Sequence, residues 1–292
     1  MTANELKTSE HLQRHIETIA SAPRNIANFA ALNASAAYIE STLDAFGYAV
    51  GRQEFSVDGR KVRNIDVTLE PTQKSTEPVQ TIVVGAHYDS YRNAPGANDN
   101  GSGVAATLEL ARLLKSYPPA KFRIRLVFFV NEEPPYFRSP NMGSLRYAQA
   151  MIQNGERIRG MISLDAMGSF ASQRGTQRFP WPYNYLFGDR ANFIAFLGLP
   201  GGRTFMHDVV RAFRSQTQFP SIAAMGIDGK IAGAWSDHWS FDKYGIPAMV
   251  ISDTGPFRYR HLHRPSDTPD KIDFRKLARV TLGLVRAIAL IS

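Results

Sequence analysis

The segment "TIVVGAHYDS", residues 81–90, runs apolar and β-branched through Val84 and then turns polar at His87 and Asp89. Three more stretches repeat that form: "RIRLVFFVNEE" (123–133), "MISLDAMG" (161–168) and "AMVISDT" (248–254). An apolar run with no alternation belongs to a strand covered on both faces, which is the signature of a parallel sheet with helices on either side. The segments between the runs fit that reading, since "GVAATLELARLLKSY" (103–117) puts Val104, Leu108, Ala111 and Leu114 on one helical face. The expected fold is therefore α/β and layered, with a sheet mostly parallel at its centre.

Working outward, two helices open the chain, one around Leu12, Ile16 and Ile19 and one over residues 28–46 that stops at Gly47. Residues 48–57 and 62–70 read as two strands. The last helix, over 274–291, carries Leu277, Thr281, Leu284 and Ile288 at helical spacing. Residues 169–235 are rich in Phe, Tyr, Trp, Pro and Gly and weakly periodic outside "ANFIAFLG", so an aromatic lobe or loop insertion is expected there, within one domain spanning 1–292.

Composition narrows the function classes. With 292 residues, 43% of them hydrophobic, the chain can bury a large core. The net charge of +8 is spread over scattered arginines, and no finger, RNA-binding sheet motif or dense basic run accompanies it. A nucleic-acid partner is not expected. The absence of cysteine excludes disulfides, thiolate metal sites and cysteine nucleophiles. No run reaches the ~18 apolar residues that span a bilayer, so no membrane association is expected. The first twenty residues lack a signal-peptide pattern, which reads as cytoplasmic, or as exported after trimming. Nothing in the sequence fixes the oligomeric state.

Ligands in such sheets sit beyond the carboxyl ends of the strands, and the polar residues gather at those ends. His87 and Asp89 form an H-x-D pair in which Asp89 could reach the second imidazole nitrogen, although an ordinary hydrogen-bonded turn would look the same. In "GANDNGSG" (96–103) the glycines permit a tight reversal before a helix, and Asp99 or Asn100 could cap it. Glu132 and Glu133 end the next strand, Asp165 the one after, and His261 and His263 follow the last in "RYRHLHRPSDT" (258–268). Each alone reads as a solvated loop. Together they bring imidazoles and carboxylates to four strand ends, a sulfur-free donor set suited to zinc, cobalt or manganese.

Taken in order, the His-X-Asp tip, "NDNGSG", the Glu-Glu pair, "SLDAMG", "SDHWSF" and "HRPSDTPDKID" resemble the co-catalytic dizinc aminopeptidases of peptidase family M28. The resemblance implies a zinc-dependent exopeptidase fold, a three-layer sandwich whose mixed, mostly parallel sheet is flanked by helices. It implies two zinc ions held by His87, Asp99, Glu133, Asp165 and His263, with Asp99 bridging, His87 and Asp165 on one zinc, and Glu133 and His263 on the other. Glu132 becomes the general base, Asp89 the residue that orients His87, and the peptide bond after Asp99 is expected to be cis. The implied reaction removes the amino-terminal residue of a peptide substrate by attack of a zinc-bridging hydroxide. Tyr259 is expected to support the oxyanion, and Asp237 and His238 to cap a helix and shape the cleft wall. A metallo-carboxypeptidase or dipeptidase on the same scaffold is the alternative, since Arg258, Arg260 and Arg264 crowd the His263 loop. A glutaminyl-cyclase-like aminoacyltransferase and a non-catalytic homologue stand further off. The turn "EEPPYFRSPNMGS" (132–144) departs from the shorter, glycine-bearing turn of the aminopeptidases.

Overall fold

A computed structural model describes residues 1–74, 76–181, 183–226 and 235–292. Strand β3 (Gln80–His87) is buried from Thr81 onward, as its apolar sequence requires. It lies at the centre of one eight-stranded sheet of order β1-β2-β4-β3-β5-β8-β6-β7. The other strands are β1 (Gly51–Val57), β2 (Arg60–Leu69), β4 (Arg123–Phe129), β5 (Arg157–Leu164), β6 (Ile194–Gly198), β7 (Ser221–Met225) and β8 (Ala248–Ser252). The central four, β4, β3, β5 and β8, are parallel. The hairpin β1–β2 adds antiparallel to β4, and β6 runs antiparallel to β8.

Alternation along β3 assigns the layers. Ile82, Val84 and Ala86 face a large core shared with Leu12 and Ile16 of α1 (Ala3–Ile19), Leu108 of α3 (Gly103–Leu114) and Leu284 of α8 (Phe274–Ile291). Val83 faces the opposite side, where Tyr147 and Met151 of α4 (Gly143–Gln153) pack with Phe241 of α7 (His238–Asp242). Helices thus cover both faces of the layered α/β sheet that the patterning predicts, giving the three-layer sandwich that the resemblance implies. A capping box between Thr2 and Glu5 starts α1, and Gly47, at φ 77°, follows α2 (Phe29–Ala45). Among the described residues no helix is long and apolar enough to cross a membrane.

The segment expected as a lobe, 169–235, is more regular than its sequence suggests. It supplies β6 and β7 to the sheet, together with α5 (Tyr183–Phe187) and α6 (Arg203–Gln216). Residues 182 and 227–234 of that segment lie outside the described residues. Trp181, in the same segment, is 79% exposed.

Candidate metal centre

The acids and imidazoles of interest lie at the carboxyl ends of the central strands or on the loops that follow them. His87 closes β3, Glu132 and Glu133 follow β4, Asp165 follows β5, His263 follows β8, and Asp99 sits in the turn before α3. His87 Nε2 lies 3.4 Å from Asp99 Oδ1, 3.7 Å from Glu132 Oε2 and 3.8 Å from Asp165 Oδ1. His263 Nε2 lies 3.1 Å from Asp99 Oδ2 and 3.4 Å from Glu133 Oε1. Two trios result, His87–Asp99–Asp165 and Asp99–Glu133–His263, each with ligand atoms within 4.8 Å of one another, and Asp99 belongs to both.

The backbone around these side chains is tied from behind. Asp89 accepts from the backbone N–H groups of Glu132 and Glu133, both at 3.1 Å, and its Oδ1 stands 3.5 Å from His87 Nδ1. One carboxylate therefore locks the H-x-D tip to the Glu-Glu turn. Asp267 does the same for the Asp99 turn, accepting from Asn98 N at 2.8 Å and Asp99 N at 3.1 Å. Asn100 donates to Leu164 O and accepts from Ala166 N, so the Asp99 turn is stitched to the Asp165 turn. The Asp99–Asn100 peptide bond is cis, as the resemblance implies. Asn131, Ala166 and His263 hold positive φ, at 60°, 52° and 58°, and these kinks turn the adjoining side chains inward.

Arg24 stands behind both loops. Its fully buried guanidinium donates to the carbonyls of Tyr88, Pro95 and Gly96, and Gly96, at φ 65°, leaves no room there for a side chain. Burial lowers Arg24 to about 10, and Asp267, Asp89 and Asp99 oppose that shift.

The electrostatics suit a bound cation. Burial raises Glu132 well above the usual carboxylate range, with His87 opposing and Glu133 adding. Burial, then the charge of Asp99, lifts Glu133 to about 7. Burial would lower His263, yet Asp99 and Glu133 lift it to about 10. Asp99 moves below its ordinary value because His263 and His87 outweigh burial. Carboxylates that gather protons and imidazoles that hold them mark a cluster short of positive charge. His87 Nε2 and Glu133 Oε1 are buried and make no hydrogen bond among the described residues. The oxygen and nitrogen donors fit zinc, with Asp99 as the shared carboxylate.

The centre opens on a cavity of about 200 Å³. Asp99, Asp165 and His263 form its polar end, while Phe179, Leu197, Ile222, Val250, Phe257 and Leu262 are among its walls. His238 lines it too, as expected. Asp237 is buried at the N-cap of α7 but makes no capping hydrogen bond there, and burial raises it to about 7. Tyr259 departs from its expected place. Its hydroxyl donates to Asp267 at 2.6 Å, so it braces the Asp99 turn instead of facing the cavity. His261 turns to Ser266 Oγ at 2.9 Å. Arg258 donates to Gln177 and to the carbonyls of Ser169 and Phe193, leaving it a structural cation. The bracing by Arg24 and Asp267 had no local sequence signal, because each depends on contacts distant in the chain.

Comparison with known proteins follows the same line. The model of peptidase family M28 matches residues 64–288. The uncharacterized protein YfbL of Escherichia coli K12 is 37% identical over 90% of this chain and 81% of its own length. A probable leucine aminopeptidase of Arthroderma otae is 29% identical over 73% of this chain, which spans about half of that protein (54%). Among solved structures, an aminopeptidase from Aneurinibacillus sp. strain AM-1 superposes with TM-score 0.73 at 19% identity, covering 98% of this chain and 95% of its own. A glutaminyl cyclase of Fimbriiglobus ruber superposes equally, with TM-score 0.73 at 21% identity over 97% and 95%. At these identities both report the fold.

Proposed function

Because the chain belongs to peptidase family M28, we propose that it is a zinc aminopeptidase that removes an apolar first residue from peptides with a free amino terminus. The observation that carries the reading is the apolar cavity of about 200 Å³ ending on Asp99, Asp165 and His263. It offers room for one hydrocarbon side chain directly beside the cluster. A name shared by relatives adds support, since the Arthroderma otae protein is a probable leucine aminopeptidase.

In this reading two zinc ions would be held, one by His87, Asp99 and Asp165 and one by Asp99, Glu133 and His263. When bound, the zinc supplies Lewis acidity toward the scissile carbonyl and acidifies water. Glu132 is not needed as a ligand, and its Oε2 faces the centre 3.7 Å from His87 Nε2. It takes a proton from the attacking water and passes it to the departing amine nitrogen, so that the peptide C–N bond breaks as a C–O bond forms. Asp89 keeps Glu132 and Glu133 aimed differently by holding their backbone N–H groups. The cavity walls exclude water from the first side chain.

The test uses one leucine-led peptide series with free and acetylated amino termini, assayed with bound zinc quantified. Cleavage restricted to free amino termini, releasing leucine, is the expected result. Cleavage that tolerates acetylation and requires a free carboxyl terminus would replace this reading with a carboxypeptidase.

A further inference from the structure

A second cavity, about 270 Å³, borders the metal centre on the side of Glu133. It does not share a residue with the apolar cavity, which meets the centre at Asp99, Asp165 and His263. Pro134, Pro135 and Tyr136 supply apolar lining from the turn after Glu133, and Asn131 and Arg92 bring polar groups.

Three observations give this cavity a chemistry. Arg92 makes no ion pair among the described residues and is exposed, so a carboxylate can reach its guanidinium. Its position is nevertheless fixed: Asn25 Nδ2 donates to Arg92 O at 2.6 Å, and the guanidinium lies 5.1 Å from the Tyr91 ring centroid. Tyr91 in turn stacks on the His263 imidazole, with centroids 4.3 Å apart and planes at 17°. Arg92 is thus coupled through one ring to the centre. Finally, Asn131 is 1% exposed, and its amide nitrogen has no hydrogen-bond partner among the described residues, a donor that calls for an acceptor. Of the two acids at the cavity, Asp89 accepts from the N–H groups of Glu132 and Glu133, and Glu133 Oε1 faces His263 Nε2 at 3.4 Å.

We propose that this cavity receives the residue that follows the scissile bond, and that Arg92, with Asn131, selects for a carboxylate on it. The inference rests on the aminopeptidase reading, in which the first side chain fills the apolar cavity and the leaving residue must lie on the other side of the centre. A guanidinium suits a carboxylate whether it is the chain terminus of a dipeptide or an acidic side chain. The Arg258 group that the sequence offers for this task is held elsewhere by Gln177 and backbone carbonyls.

The experiment compares the wild-type zinc enzyme with Arg92→Gln on Leu-Gly, Leu-Gly-amide and Leu-Asp-amide. Arg92→Gln is expected to raise KM about tenfold for Leu-Gly, Leu-Asp-amide or both, leaving Leu-Gly-amide within about twofold and kcat unchanged. A loss on Leu-Gly alone assigns the terminal carboxylate, and a loss on Leu-Asp-amide alone assigns the side chain. Equal effects on all three, or none on any, overturn the inference while leaving the aminopeptidase reading intact. If the wild-type enzyme cleaves none of the three, that reading and this inference fall together.

Discussion

Glu132 and Glu133 are adjacent in sequence yet differently placed: Glu133 Oε1 faces His263, and Glu132 Oε2 faces His87. That division makes Glu132→Gln the sharpest substitution. It preserves shape and removes the proposed proton acceptor, so zinc content should stay at the wild-type level while kcat falls roughly 10²- to 10⁴-fold. Metal analysis beside turnover checks it, and retained turnover would move the base elsewhere. Asp267 tests the bracing instead. Asp267→Asn turns one of its two acceptors into a donor facing the N–H of Asn98 or Asp99. A cost of about 1–3 kcal/mol and weaker zinc retention against a chelator are expected. His87, Glu132, Glu133 and Asp165 stood out in the sequence because a parallel sheet delivers its strand ends to one edge, whereas Asp99 and His263, on longer loops, were singled out by the motif order that resembles family M28. The place of Tyr259 was not legible, because its direction is set by Asp267, eight residues further along a loop with no regular period.

At the scale of elements, the segment joining α1 to α2 reaches under the metal-bearing loops through Arg24, although the family match begins only at residue 64. Arg24→Met removes the side-chain donor to the carbonyls of Tyr88, Pro95 and Gly96, of which Gly96 O keeps only the N–H of Gly101, and should destabilise the fold by roughly 3 kcal/mol or more. Chemical denaturation of the zinc-loaded protein measures it. Helix α1 carries a second dependence at His15, 8% exposed and hydrogen-bonded to Tyr38 at 2.8 Å. Burial lowers its pKa from 6.5 to about 4, although Glu109 opposes the shift. Between those values the unfolded chain binds a proton that the folded chain refuses, so stability falls as pH drops from about 6.5 to about 4. Above that window neither state is protonated at His15, and the contribution is complete. His15→Gln removes it, so the stability gap between wild type and variant should narrow by of order 2–3 kcal/mol from pH 7 to pH 4. A gap independent of pH would exclude His15 as the source. The helices could be read because burial on one face imposes their period, and the central strands because burial on both faces leaves an unbroken apolar run. Strand β7 could not, its five residues standing amid aromatic, weakly periodic sequence, and "ANFIAFLG" stood out without showing that its residues form β6 of the sheet.

At the scale of the molecule, the acids form a buried negative cluster inside a chain of net charge +8. The scattered arginines do not neutralise it: among the described residues, the partners of its carboxylates within 4 Å are His87 and His263. The cluster joins the ends of β3, β4, β5 and β8, and each of those elements also carries core packing. A cation bound there therefore links stability to occupancy, because it binds the assembled site and not the unfolded chain. At free zinc a hundredfold above Kd, each site should add about 2.7 kcal/mol, worth roughly 5 °C or more in a chain of this size. Dialysis against a chelator should lower the unfolding temperature by that order per site. Returning zinc stepwise should restore it over two equivalents if Asp99 bridges two ions. Full recovery after one equivalent would reduce the centre to a single site, and the stoichiometry of His87→Ala would then show which trio holds it: zinc lost altogether assigns the trio of His87, Asp99 and Asp165, and zinc retained assigns that of Asp99, Glu133 and His263.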